Sequence, residues 1–226
     1  MEELDWQQTP IGEISLRRRL DPTLQTDVYE VKLGDEFLMS SLFTVAEEAL
    51  ATLGLAAHPG TDLAVVNGGL GLAYTAGTAL LDPRVASLQV VEYLAPVIDW
   101  HQRQILPLSP PITDDPRCHL LHGDFFALTA AGELPQSDVV LLDIDHTPSY
   151  VLNGSHSPFY TREGLQRLAD RFNPGGVFAL WSDEPPEDAF LAVLDDVFAS
   201  AAGHLVEFPN PLTGGTSRNG VYVATL

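Results

Sequence analysis

A single cysteine, Cys118, stands among 226 residues. No internal disulfide can form, so burial alone must hold the fold, and a reducing, cytoplasmic setting is the expectation. Basic side chains are also scarce: 11 Lys and Arg face 31 Asp and Glu, for a net charge of −20. Nucleic-acid backbones are gripped by clustered Lys and Arg, and Arg17-Arg18-Arg19 is the one such cluster, so nucleic acid is excluded as a partner. No apolar run approaches the roughly 18 residues of a membrane span. Met1-Glu-Glu-Leu-Asp5 has no basic start leading into an apolar stretch, so no signal peptide is expected either. The seven histidines show no ligand spacing, and no metal is expected. A serine nucleophile elbow is missing, since Asn153-Gly-Ser-His-Ser157 lacks the second glycine. There is no internal repeat. What remains is an acidic chain with a hydrophobic fraction of 45%. That is enough for the core of one large domain, and its field favours cationic ligands.

The organising stretch is Leu63 to Leu72. Leu63-Ala-Val-Val66 reads as a strand buried on both faces. Gly68, Gly69 and Gly71 follow, then a helix over 73–81. Strand, glycine turn and helix together present backbone N–H groups and a helix N-terminus to a ligand. Val90-Val91-Glu92 reads as the next strand. Glu92 lies about 20 residues past the glycines, the spacing of a carboxylate that accepts from ribose hydroxyls. The dinucleotide fingerprint would put a third small residue at position 74, where Tyr74 stands. The expectation is therefore a nucleoside without a pyrophosphate.

Further strands are expected at His119–His122 before Gly123-Asp124, at Val139–Leu142 before Asp143, and at 177–181, 204–208 and 220–224. Helices are expected at 95–105, 161–172 and 187–201. Alternating strands and helices imply a doubly wound, mostly parallel α/β sheet with an antiparallel C-terminal edge. Gly12–Arg18 and Asp27–Gly34 alternate in polarity and read as an N-terminal β-hairpin over residues 1–36, preceding a Rossmann-like domain over 37–226. Asp35-Glu36 is expected to open a helix running through Leu38, Leu42, Val45, Ala49 and Leu53, capped by Gly54. Ligands of open parallel sheets sit at the carboxyl ends of the strands, where Glu92, Asp124 and Asp143 fall. Asp143 and Asp145 are two apart, which on an extended chain puts both on one face. Such a pair can bind a cation, and one member can take a proton from an amine. His146 beside them is a candidate base.

These motifs, in this order, resemble the spermidine synthase family of polyamine aminopropyltransferases, within the class I S-adenosylmethionine-dependent methyltransferase fold and its seven-stranded sheet. The resemblance rests on Asp35-Glu-Phe37, Asn67-Gly-Gly-Leu-Gly71, Val91-Glu92, Gly123-Asp124, Leu141-Leu-Asp143, Phe159-Tyr160 and Pro174-Gly-Gly-Val177. It implies decarboxylated S-adenosylmethionine, or S-adenosylmethionine itself, as co-substrate, held by Asn67, Gly68, Gly69, Gly71, Glu92 and Asp124. It implies Asp143 as the base, and Asp35, Glu36, Asp145 and His146 around a cationic amine. It further implies a homodimer or higher homo-oligomer formed through the N-terminal hairpin. The chain departs from the family pattern at Met39-Ser40-Ser41, at Leu70 where the loop aspartate stands, and at Leu180-Trp181. A methyltransferase of unknown acceptor and a non-catalytic nucleoside-binding or scaffold protein are the alternatives.

Overall fold

The computed structural model describes residues 1–226. The chain begins with a four-stranded antiparallel meander, β1 (Glu2–Thr9), β2 (Gly12–Asp21), β3 (Thr26–Leu33) and β4 (Glu36–Ser40). The expected hairpin is its central pair, β2 and β3, in which Leu16 faces Val31 and Ile14 faces Leu33. Ile14, Leu16 and Val31 are buried in the same apolar cluster as Leu50, Leu55 and Trp100, so one core joins this sheet to the rest of the chain. The Trp100 indole N–H also donates to Asp5 on β1, at 2.7 Å.

The helix expected from Asp35 does not start there. Gly34, at φ +58°, turns the chain so that β4 folds back on β3, with Phe37 opposite Lys32. Helix α1 runs from Val45 to Ala57. Its buried face is Ala46, Leu50, Ala51, Gly54 and Leu55, while Val45 is 45% exposed. Gly54 is not a cap: a Cβ there would sit 2.7 Å from Leu141 Cδ2, so its hydrogen lets α1 lie close on the main sheet.

That sheet has seven strands in the order β10-β11-β9-β8-β5-β6-β7. They are β5 (Leu63–Gly68), β6 (Val85–Glu92), β7 (Cys118–His122), β8 (Ser137–Leu142), β9 (Phe172–Ser182), β10 (Ser200–Asn210) and β11 (Gly215–Thr225). β5 to β9 are parallel, while β11 runs antiparallel to β9 and β10 to β11. This is the doubly wound α/β class, and the closing pair is the antiparallel edge. The apolar runs are continuous because both faces are covered. Val65, Leu141 and Ala179 point into the cluster shared with α1, α2 (Tyr74–Leu81) and α3 (Ala95–Gln102). Val66, Leu142 and Leu180 point into a second cluster, with α5 (Phe125–Ala131), α6 (Arg162–Ala169) and α7 (Asp188–Asp195). The proline-rich stretch contains one short helix, α4 (Ser109–Thr113). No helix is long and apolar enough to cross a membrane. The order of crossing reverses between β5 and β8, and in this architecture the crevice at their carboxyl ends is where ligands bind.

Candidate active site

A cavity of about 780 Å³ opens at that reversal point. It is lined by Gly69, Gly71, Glu92, Asp124, Asp143, His146 and Glu36 among the residues expected from the sequence, and by Glu47, Phe126, His156 and Trp181 besides. That volume is the size of a ligand site for a nucleoside-sized molecule.

The glycine loop leaves β5 with Gly69 at φ +92° and Gly71 at φ +46°. A Cβ on Gly69 would overlap the carbonyl oxygen of Asp143, so glycine alone lets the loop pass over the end of β8. The loop is held from three sides. Asp143 N–H donates to Gly68 O at 2.9 Å. Leu70 N–H donates to Glu92 Oε2 at 2.9 Å. Below the loop, His101 is fully buried, with Nε2 2.9 Å from Gly71 O and Nδ1 3.2 Å from Ser109 Oγ. A carbonyl oxygen only accepts, so Nε2 carries the proton and Nδ1 accepts from the serine. Burial lowers the His101 pKa, which keeps the ring neutral and in that tautomer.

Glu92 ends β6 at 8% exposure, with Oε1 accepting from Leu94 N–H at 2.7 Å. Burial raises its pKa, while the backbone N–H groups around it pull the other way. The N–H groups of Gly71 and Tyr93 lie around the same carboxylate, which also lines the cavity. Asp124 caps α5, its Oδ1 accepting from Phe126 N–H at 2.9 Å and Ala127 N–H at 3.1 Å, and it still faces the cavity. Beside it the Phe126 and His156 rings stack at 4.0 Å.

Asn67 and Gly68 do not line the cavity. Asn67 is fully buried, and its Nδ2 donates to Gly69 O at 3.0 Å and Leu141 O at 3.3 Å, so it braces the loop against β8 from behind. Leu70, at 4% exposure, turns its side chain into the core and faces no ligand.

At the other end of the cavity, Asp143 accepts from Thr75 Oγ1 at 2.8 Å. Burial raises its pKa to about 6, with the Thr75 hydroxyl opposing. The expectation that Asp145 shares its face is corrected. The chain leaves extended geometry after Leu142, and Asp145, at 2% exposure, points away from the cavity. Its carboxylate is taken up by His156 Nδ1 at 2.8 Å, the Tyr160 hydroxyl at 2.8 Å and Leu152 N–H at 2.7 Å. The carboxylate beside Asp143 is instead Glu47, from the first turn of α1. Burial first, then the charge of Asp143, raises the Glu47 pKa to about 8. No sequence signal distinguishes Glu47 from any acid that opposes a helix dipole. Glu36 and His146 pair with each other at 2.9 Å, whereas Asp35 sits exposed in the turn before β4 and does not line the cavity. No group of three or more His, Cys, Asp or Glu side chains is arranged to hold a metal ion.

No family model matches the chain. It is 30% identical over 123 residues to polyamine aminopropyltransferase 2 of Pseudomonas aeruginosa, which is 52% of this chain and 32% of that protein. The match thus spans about a third of the curated relative's length. Among solved structures, a spermidine synthase in complex with the transition-state analogue AdoDATO superimposes with a TM-score of 0.74 at 20% identity, covering 99% of this chain and 73% of that one. The spermidine synthase from Thermotoga maritima gives 0.73 at 19% identity, covering 99% and 72%. A probable spermidine synthase from Corynebacterium glutamicum gives 0.67 at 16%, covering 99% and 79%. The chain has the fold of the spermidine synthases.

Proposed function

We propose that this chain is an aminopropyltransferase that binds decarboxylated S-adenosylmethionine and transfers its aminopropyl group to a small cationic amine. The observation that carries the proposal is one cavity lined by the glycine loop, Glu92, Asp124 and Asp143. Glu92 takes the ribose hydroxyls, Asp124 takes the adenine amino group, and the loop backbone shapes the floor. The amine attacks the methylene carbon next to sulfur. A C–N bond forms, the C–S bond breaks, and its electron pair returns to sulfur, leaving a neutral nucleoside thioether. The proton lost by the amine goes to Asp143. An acceptor with a pKa near 6 lies close enough to the working pH to be ionised before the step and protonated after it. Holding amine and carbon in line, away from water, supplies much of the remaining acceleration.

Methyl transfer from intact S-adenosylmethionine fits this cavity less well. Its tail carboxylate would meet Asp143, and like charges at short range repel. The N-terminal meander, with Trp6 50% and Leu20 59% exposed, is the surface through which we expect homo-oligomers to form. Sedimentation of the intact chain tests that. For the reaction, we would follow thioether release from decarboxylated S-adenosylmethionine across a panel of amines. Turnover is expected in the wild type. Asp143→Asn is expected to lower kcat about 100-fold or more while nucleoside affinity stays within about twofold, the range for loss of a general base. Unchanged turnover in that variant would remove Asp143 from its role.

A further inference from the structure

Glu47 is the one cavity acid that no other residue meets with a hydrogen bond or an ion pair. Glu92, Asp124 and Asp143 each accept from a backbone N–H or a hydroxyl, Asp183 accepts from the Asn219 amide, and Glu36 is paired with His146. The only donor that meets the Glu47 carboxyl is the N–H of its own backbone, and no Lys or Arg forms an ion pair with it. Its backbone carbonyl lies 3.4 Å from Thr75 Oγ1, the hydroxyl that donates to Asp143, so one residue of α2 bridges the two acids. A half-buried carboxyl met only by its own backbone is costly to keep, and its side chain opens on the cavity rather than on bulk solvent.

We propose that Glu47 is a specificity-determining residue of the acceptor end of the cavity, where with Asp143 it takes an ammonium group of an alkyl amine. The proposal rests on the aminopropyl-transfer reading for its substrate class, though not for its geometry. An ammonium offers three N–H donors, which two carboxylates and no cation can receive. The loop position of Leu70 supplies no acid, so the cationic end of a ligand is met from α1 and β8 instead of from the glycine loop. The groups facing Glu47 are Asp143 at the end of β8, Asp183 after β9, Glu48 on its own helix and Tyr74 on α2. Arg218, the one arginine lining the cavity, is engaged by Glu207 at 2.8 Å. Glu47 is therefore surrounded by acids and holds a proton in the empty site at neutral pH. An arriving ammonium reverses that balance, and the carboxyl gives its proton to solvent as the amine binds.

The test is calorimetric titration of diaminobutane into the intact chain at pH 7, in phosphate and in Tris, with and without saturating methylthioadenosine. Buffers of different ionisation enthalpy report protons released. Wild type is expected to bind the amine with release of a fraction of a proton to one proton. Glu47→Gln is expected to bind it about tenfold or more weakly, the loss of one charged hydrogen bond, and to release fewer protons. Glu47→Asp is expected to recover part of both. Equal amine affinity and equal proton release in wild type and Glu47→Gln would overturn the proposal. So would a wild type that binds methylthioadenosine but no amine, an outcome that leaves the nucleoside reading standing. Amine binding that depends on Glu47 without any nucleoside binding would uphold Glu47 and overturn the proposed function. If neither ligand binds, both are overturned.

Discussion

Replacing Glu47 with glutamine is expected to stabilise the empty protein at alkaline pH and leave it nearly unchanged in acid. The Glu47 pKa is raised from 4.5 to about 8 in the folded chain. Between those values the folded state holds a proton that the unfolded state has lost. The Glu47 contribution to wild-type stability is therefore greatest below pH 4.5, falls as pH rises through the interval, and levels off above 8. At about 1.4 kcal/mol per pH unit the interval from 4.5 to about 8 bounds the effect near 5 kcal/mol. Solvent in an open cavity screens the charge, and about 1–2 kcal/mol is the working figure. Glutamine keeps the shape and cannot ionise. Asp143, raised from 3.8 to about 6, adds its own fall at lower pH in both proteins and largely cancels in the comparison. For a chain of this size 1 kcal/mol moves Tm by about 2–4 °C. Glu47→Gln is thus expected to melt about 2–8 °C above wild type at pH 9 and within about 1 °C of it at pH 4. Scanning calorimetry at the two pH values measures this. A difference that is the same at both, or a variant that melts lower at pH 9, would refute the reasoning.

Two other substitutions probe the floor of the cavity. Gly69→Ala forces a side chain into φ +92° and into the Asp143 carbonyl, so a loss of about 2 kcal/mol or more is expected together with loss of nucleoside binding, read by denaturant titration and calorimetry. Asp124→Ala removes the cap of α5 and is expected to cost about 1 kcal/mol in the same denaturant titration. If Asp124 also holds adenine, the variant weakens nucleoside binding by more than its loss of stability explains.

The sheet was legible because its signals are local. Leu63–Val66 and Val139–Leu142 are apolar on both faces, and such runs have few other places to go than the centre of a parallel sheet. The loop and the acids at strand ends follow from strand position, so Gly69, Gly71, Glu92, Asp124 and Asp143 reach one cavity as expected. The helix expected at Asp35 failed because β4 is short and exposed along much of its length, and the apolar spacing 38, 42, 45, 49 happens to straddle strand, turn and helix. Asp145 failed for a related reason. Spacing of two puts side chains on one face only while the chain stays extended, and β8 ends at Leu142. Glu47 comes from a helix before the loop in sequence and His101 from one after it. Their roles depend on α1 and α3 packing, which no pattern within either helix encodes.

The central claim is that this cavity holds an adenosyl sulfonium whose tail ends in an ammonium and no carboxylate. Side-by-side calorimetric titration with decarboxylated S-adenosylmethionine and with S-adenosylmethionine tests it most directly, because the two differ only in that carboxylate. Tighter binding of the decarboxylated ligand, by about tenfold or more, is the expected result, since Asp143 would face the carboxylate of the other. Equal affinity, or preference for intact S-adenosylmethionine, would contradict the account.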